Sequence, residues 1–274
     1  MTLPRATVII PAHNESAVIS RCLASLAGTG QEIEIVVACN GCTDNTAEIA
    51  AQAGAHTLVE LTTASKTAAM RAADKVARGS VRVYLDADVV LPSRSLHAML
   101  DRLAQGDVLA VRPPIRYDTQ SSRWLVRRYY AARVRMPAVM NSLWGAGVYA
   151  LSAAGRARFG EFPDVVGDDL WVDSLFERHE IAIVPTGEVT VRVPRTSRAM
   201  LHVLRRTYNG NAQLAGSAAE TTESTTADLR RLVASGPGPA LDATVYAAFA
   251  VAGRLSRMRG ASTAWHRDET SRTA

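Results

Sequence analysis

Short apolar runs alternate with amphipathic segments through the first 112 residues of the chain. Each run is rich in Val, Ile or Leu and is short enough for a buried strand, whereas the segments between them repeat apolar residues at helical spacing. The alternation predicts an α/β fold with a mainly parallel central sheet flanked by helices. The predicted strands are 6–10, 33–38, 55–61, 81–85 and 107–111, and the predicted helices are 14–28, 42–54, 64–79 and 92–106.

The pattern is less regular in the rest of the chain. A Gly-containing strand or turn is predicted at "WGAGVYALS", and "IAIVP" and "EVTVRVP" are predicted strands that can pair with each other. The stretch from Ala215 to Pro239 is rich in Ala, Ser, Thr and Gly, which favours a linker or a mobile region. Further helices are predicted over 123–138, 168–179 and 197–214, a short apolar helix over 243–252, and a mobile tail over 261–274.

The composition is that of a soluble globular protein: 274 residues, 47% hydrophobic and 21% charged. The net charge of +5 suits a phosphate-bearing ligand or an anionic membrane surface, and is too small to imply nucleic acid. Neither a signal peptide nor a membrane span is predicted, so a cytoplasmic location is expected, with possible peripheral contact at the inner face of the membrane. The apolar segment 243–252 could provide that contact, or it could pack on the body or on a second subunit of a homodimer.

Seven arginines lie between Arg112 and Arg135, against one acid, Asp118, and aromatic residues are interleaved with them. Such a pattern can stack on nucleic-acid bases, bind a sugar or phosphate, or face a membrane. A solvated helix face with aromatic core contacts is the favoured interpretation. The arginines are 112, 116, 123, 127, 128, 133 and 135, and the aromatic residues are Trp124, Tyr129 and Tyr130.

Two carboxylates, Asp86 and Asp88, directly follow the fourth predicted strand. Ligands of such sheets bind beyond the carboxyl ends of the strands, where these acids are expected. Close together and unpaired they would repel each other, and a divalent cation such as Mg²⁺ or Mn²⁺ relieves that repulsion. The alternative is that the acids cap the following helix. Cys39 and Cys42 form a CxxC pair, but without a second pair it predicts neither a zinc nor a redox site.

Five motifs in one order, over residues 6 to about 210, resemble the family-2 glycosyltransferases with the GT-A fold. They are "VIIPAHNE", "NGCTDNT", "SKTAAMRAA", "YLDADVV" and "GEFPDVVGDDLWVD". The resemblance implies a single GT-A type domain over 1–214, with a nucleotide-sugar-binding half (1–112) and an acceptor-side half (113–214). Residues 215–274 would form a helical C-terminal extension made of a linker, the short apolar helix and the tail.

The resemblance also implies roles for individual residues. Asp88 and Asp86 would hold Mn²⁺ or Mg²⁺. Asp168 and Asp169 would be the catalytic acid pair, with Asp169 the better candidate for the general base. The alternative from the local pattern is a helix cap, and both can hold if Asp168 caps while Asp169 acts as the base. Trp144 and Gly145 would face the acceptor. The residues expected to bind the donor are Pro11, Ala12, Glu15, Asn40, Lys66, Asp86, Ala87, Arg205 and Arg206.

The predicted function is therefore a metal-dependent, inverting transfer of a sugar from a nucleotide-diphosphate sugar to an acceptor hydroxyl. The acceptor would be a small molecule, a glycan or a lipid carrier. One alternative is a sugar-phosphate nucleotidyltransferase, although "VIIPAHNE" lacks the Gly-rich loop of that class; another is a non-catalytic nucleotide-sugar-binding module. Cys39 and Asn40 stand where the family usually has an acid that reads the base, so the donor base stays open, and no His follows the late strand in "VRVPRTS".

Overall fold

The computed structural model describes residues 3–211 and 215–258. The chain divides into two compact units. The first unit consists of Met1–Ile115 and Leu143–Thr190, and the second of Arg116–Ser142 and Val191–Ala274. This division differs from the predicted one, in which 1–214 formed one domain with halves meeting at residue 112. The reason is that 143–190 returns to the sheet of the first unit, whereas 116–142 does not.

The first unit is built on a seven-stranded sheet in the order β3-β2-β1-β4-β7-β5-β8. The pairs β1–β2, β1–β4, β2–β3 and β5–β8 are parallel, and only β7 runs antiparallel to its neighbours, so the predicted mainly parallel sheet is confirmed. The strands are β1 (Ala6–Ala12), β2 (Ile33–Asn40), β3 (Thr57–Leu61), β4 (Val81–Leu85), β5 (Ala110–Arg112), β7 (Val148–Leu151) and β8 (Ile181–Ile183).

Every residue of β1 and β2 is buried, as expected for central parallel strands covered on both faces. The predicted helices between the first five strands are confirmed, with shorter bounds. They are α1 (Ile19–Ser25), α2 (Thr46–Gln52), α3 (Lys66–Val76) and α4 (Ser93–Ala104); α7 (Ala153–Arg156), α8 (Asp168–Asp173) and a 3₁₀ turn (Arg178–Glu180) complete the helices of this unit.

The second unit is mainly helical. It holds α5 (Trp124–Arg133), α6 (Pro137–Met140), α9 (Ser197–Asn211), α10 (Ala215–Ala234) and α11 (Pro237–Met258). The helix predicted over 123–138 is two helices, because Met136 is extended before Pro137, which begins α6. No helix among residues 3–211 and 215–258 has an apolar stretch long enough to cross a bilayer.

Two predictions on the later chain are wrong. The strands predicted at "IAIVP" and "EVTVRVP" do not pair with each other: β8 joins the edge of the large sheet beside β5, and β9 (Val189–Arg192) pairs with β6 (Ile115–Asp118). The predicted linker is helical, since α10 occupies most of it. Asp228 and Leu232 of α10 are buried, and Asp228 accepts a hydrogen bond from the Ala138 N–H at 2.9 Å, so packing offsets a weak helix signal. The predicted tail, 261–274, lies outside the described residues.

Candidate active site

Strand β4 delivers Asp86 to the carboxyl edge of the sheet. The Asp86 N–H donates to the Gly147 carbonyl at 2.8 Å, which ties the start of the DAD turn to the segment before β7. Pro11 lies at the end of the neighbouring strand β1. A cavity opens here, lined by Pro11, Lys66, Met70, Tyr84, Leu85, Asp86, Gly147, Tyr149, Asp168 and Asp169. Residues from four of the five motifs thus meet at one place.

Lys66 connects two of the carboxylates. Its Nζ lies 2.7 Å from Asp86 Oδ1 and 2.9 Å from Asp168 Oδ1. Lys66 is the first residue of α3, and the helix begins there because the Ser65 side chain accepts a hydrogen bond from the Ala68 N–H. Burial alone lowers the pKa of Lys66, but Asp168, Asp86 and Asp169 together outweigh it and raise the pKa, so the ammonium stays charged.

Asp168 is the buried acid of the site, with 3% of its surface exposed. Burial raises the pKa of Asp168 to about 6; the Lys66 ammonium opposes this shift, and the charge of Asp169 adds to it. The Tyr149 hydroxyl lies 3.4 Å from the second Asp168 oxygen. The prediction that Asp168 caps its helix is wrong, because Gly167 is the N-cap residue and the Asp168 side chain is turned to Lys66 instead.

Asp169 is half-buried beside it. Its Oδ2 accepts a hydrogen bond from the Gly145 N–H, and its Oδ1 accepts one from the Leu170 N–H, both at 2.8 Å. A carboxylate has about four acceptor positions, so two stay available. Gly145 has a φ of +86°, a conformation that favours glycine, and this turn aims its N–H at Asp169.

The space beside Asp86 depends on a second glycine. A Cβ on Gly147 would lie 3.1 Å from Asp86 Oδ2 and 2.6 Å from Val89 Cγ2. Asp88 is exposed in the turn that follows Asp86. The Asp86 carboxylate beside this space fits Mg²⁺ or Mn²⁺, which prefer hard oxygen ligands and commonly take others from phosphate and water. Asp88 is not among the residues that line the cavity, so its part in holding the ion stays a prediction. Within the described ranges no group of three His, Cys, Asp or Glu side chains could hold a metal.

The loops after β1 and β2 are joined by side-chain hydrogen bonds. The Glu15 N–H donates to Thr46 Oγ1 at 2.7 Å, and the Asn14 carboxamide oxygen accepts from the Thr43 N–H at the same distance. Asn40 Nδ2 donates to the Ala12 carbonyl at 2.8 Å. Asn40 Oδ1 is buried without a hydrogen-bond partner among the described residues, which favours a ligand donor at this point.

The model of glycosyl transferase family 2 matches residues 7–153. The chain belongs to this family. The match covers the strands and loops that carry Pro11, Lys66, Asp86 and Gly147, and it confirms the family that the sequence motifs predict.

Two solved glycosyltransferase structures have the same fold. A mannosyltransferase from Pyrobaculum calidifontis, in complex with GDP-Man and Mn²⁺, superposes with a TM-score of 0.65 at 20% identity, covering 94% of this chain and 88% of that one. Glucosyl-3-phosphoglycerate synthase from Mycobacterium tuberculosis, in complex with Mg²⁺ and UDP, gives a TM-score of 0.58 at 19% identity, with 79% and 80% covered. No curated protein sequence matches the chain. The predicted GT-A type fold is confirmed.

In this family-2 enzyme the remaining predicted site residues are placed as follows. Ala87 is buried in the DAD turn, and Trp144 is half-buried next to Gly145. Arg205 and Arg206 lie on α9 of the second unit, so their predicted contact with the donor stays a prediction. Sequence reasoning missed Tyr149: it lines the cavity from β7, and only its place in the strand following the glycine segment could have indicated it.

Proposed function

We propose that the chain transfers a sugar, with inversion and with the help of a divalent cation, from a nucleotide-diphosphate sugar to an acceptor hydroxyl. The observation that carries the proposal is the cavity at the carboxyl edge of the sheet, where Asp86, Lys66, Asp168 and Asp169 converge beside Pro11. Ligands of α/β sheets bind at this edge, and a cluster of charged groups inside a cleft is typical of an active site.

The donor diphosphate is proposed to lie beside Asp86 and Asp88. These two carboxylates would hold Mn²⁺ or Mg²⁺, the ions bound with nucleotides in the P. calidifontis and M. tuberculosis structures. A bound ion would offset the negative charge that develops on the diphosphate as it leaves. The loops of Pro11, Ala12, Glu15 and Asn40 would hold the nucleoside, and the unpartnered Asn40 Oδ1 gives the base a hydrogen-bond acceptor.

Lys66 has a positioning part in this scheme. Its ammonium joins Asp86 to the buried Asp168 and so fixes the Asp86 carboxylate on the cavity wall. The same charge lowers the cost of bringing a diphosphate into the cleft. Asp168 is enclosed by Lys66 and Tyr149 and is therefore suited to holding Lys66, not to meeting an acceptor.

Asp169 is proposed to be the general base. It is less buried than Asp168, and the Gly145 and Leu170 N–H groups fix its orientation. It would take the proton of the acceptor hydroxyl while the hydroxyl oxygen bonds to the anomeric carbon. The bond from that carbon to the diphosphate oxygen breaks, and the nucleoside diphosphate leaves with the bonding electrons. One displacement by one nucleophile inverts the anomeric centre.

A thermal-shift screen with UDP-, GDP- and dTDP-sugars, each with and without Mn²⁺, tests donor binding. A donor that binds the native state raises Tm by mass action. We expect a Mn²⁺-dependent rise in Tm with the sugars of one of the three nucleotides. No shift with any donor would contradict the proposal and would favour the non-catalytic module. The nucleotidyltransferase alternative has no support from the family match.

Asp169→Asn then separates binding from chemistry. The variant keeps the donor-dependent rise in Tm, but release of nucleoside diphosphate falls by about 100-fold or more, because the base is lost. Asp101→Asn, at an exposed acid in the first unit, is the control and should match the wild type. Unchanged release, or loss of donor binding in Asp169→Asn, would contradict the assignment of the base.

The acceptor is proposed to be a small molecule, a glycan or a lipid carrier, approaching from the side of Trp144 and Gly145. The cytoplasmic location and a homodimer stay predictions.

A further inference from the structure

The two units differ in charge. The second unit, Arg116–Ser142 with Val191–Ala274, contains 18 arginines and no lysine against seven acids, a net charge of +11. The first unit contains 13 basic and 19 acidic residues, a net charge of −6. The modest net charge of the whole chain thus conceals a strongly basic unit, and such asymmetry indicates an anionic partner for that unit.

The second unit also exposes apolar side chains. Of the eleven large apolar side chains that are exposed among the described residues, seven belong to it. The seven are Trp124, Leu125, Val134, Val233, Leu241, Val251 and Leu255.

Exposed arginines and exposed apolar side chains are neighbours in sequence at the start of α5. We call Arg123, Trp124, Leu125 and Arg127 the basic apolar surface. Trp124 is 54% exposed, Leu125 is 41% exposed, and both arginines are exposed. The Arg128 guanidinium lies 5.4 Å from the Trp124 ring centroid and pairs with Asp242 of α11 at 3.1 Å, so the indole is supported on one side while it stays open to solvent.

We infer that the basic apolar surface binds an anionic lipid bilayer. Trp favours the boundary between headgroups and acyl chains, Leu gains by burial among acyl chains, and Arg pairs with lipid phosphates. Leu125 has no ring to stack on a base, which favours a bilayer over a nucleic acid. A second copy would place two basic surfaces against each other and be repelled. The inference does not depend on the proposed glycosyl transfer.

Cosedimentation of the full chain with vesicles tests the inference. We expect binding to phosphatidylcholine vesicles that contain about 30% phosphatidylglycerol, little binding to pure phosphatidylcholine, and weaker binding when salt rises from about 0.1 M to about 0.5 M. The double variant Trp124→Ala with Leu125→Ser should bind at least about tenfold more weakly, as should Arg123→Gln with Arg127→Gln.

Matched variants in the first unit serve as controls. Val76→Ser removes an exposed apolar side chain and Arg94→Gln an exposed charge; both should bind like the wild type. Circular dichroism melts verify that each variant is folded, and the conservative Trp124→Phe should retain most binding. The inference is overturned if the wild type binds neither vesicle, if it binds both equally, or if the variants bind as the controls do. Binding to single-stranded RNA without binding to vesicles would overturn it in favour of a nucleic acid.

Discussion

At the scale of the residue, the site depends on one lysine shared by two acids. The sequence indicated Lys66, Asp86, Asp168 and Asp169 separately, because each lies in its own motif. It could not indicate that Lys66 reaches both Asp86 and Asp168, since that contact joins α3, the end of β4 and the start of α8. The capping role predicted for Asp168 is wrong for the same reason. The local pattern predicts a helix cap, but the Asp168 side chain forms an ion pair with Lys66, which lies about 100 residues earlier in the chain.

The raised pKa of Asp168 predicts how stability depends on pH. The carboxyl titrates at about 6 in the folded chain and near 3.8 as a model group, so the folded state binds the proton more tightly. Its contribution to stability is full below about pH 4 and is lost as pH rises through about 6. The free energy of unfolding of the wild type should therefore fall relative to that of Asp168→Asn as pH rises through this window. Urea unfolding of both proteins across this pH range measures the difference between their free energies of unfolding. If the wild type becomes more stable relative to Asp168→Asn as pH rises, the ion pair with Lys66 outweighs the cost of burying the Asp168 carboxylate.

Gly147 gives a prediction with a built-in control. Gly147→Ala and Gly106→Ala both place a side chain at positive φ, +66° and +83°, and each should lose about 1 kcal/mol of stability. Only at Gly147 would the Cβ collide with Val89 and approach Asp86, whereas nothing lies within 4 Å at Gly106. Activity and affinity for Mn²⁺ should fall in Gly147→Ala alone. Equal activity in the two variants would contradict the role of the space beside Asp86.

At the scale of the element, sequence pattern was most informative where strands are buried on both faces. The first five strands and four helices were predicted because their apolar runs are continuous and glycines such as Gly28 and Gly54 follow the helices. The pairing of the later strands was not predictable, since β8 finds its partner β5 some 70 residues earlier in the chain. The helix α10 was missed because its Ala, Ser and Thr residues resemble a linker, and its buried residues over 223–234 are only Asp228 and Leu232.

Neighbouring residues of α10 test whether this helix is packed. Leu232 is 6% exposed and Val233 is 55% exposed. Leu232→Ala should lower the free energy of unfolding by about 2–4 kcal/mol, because it leaves a cavity, whereas Val233→Ala should change it by less than about 0.5 kcal/mol. Urea denaturation of both variants measures the difference. Equal, small effects would mean that the segment behaves as the linker first predicted.

At the scale of the whole molecule, the family was predictable because five motifs occur in the right order, and order is more specific than any single motif. The division into two units was not predictable, because the chain leaves the sheet at Arg116 and returns at Leu143 without a break in composition. The opposite net charges of the units became visible only with that division.

The central claim is that Asp86 and Asp88 bind the donor through a divalent cation, and calorimetric titration of the donor tests it most directly. The donor selected by the thermal-shift screen should bind the wild type at least about tenfold more tightly with Mn²⁺ than with chelator, since the carboxylates would hold the ion where it offsets the charge of the diphosphate. Asp88→Asn should lose this enhancement, and Asp101→Asn should keep it. Donor binding in Asp88→Asn that is as strong and as Mn²⁺-dependent as in the wild type would contradict the claim.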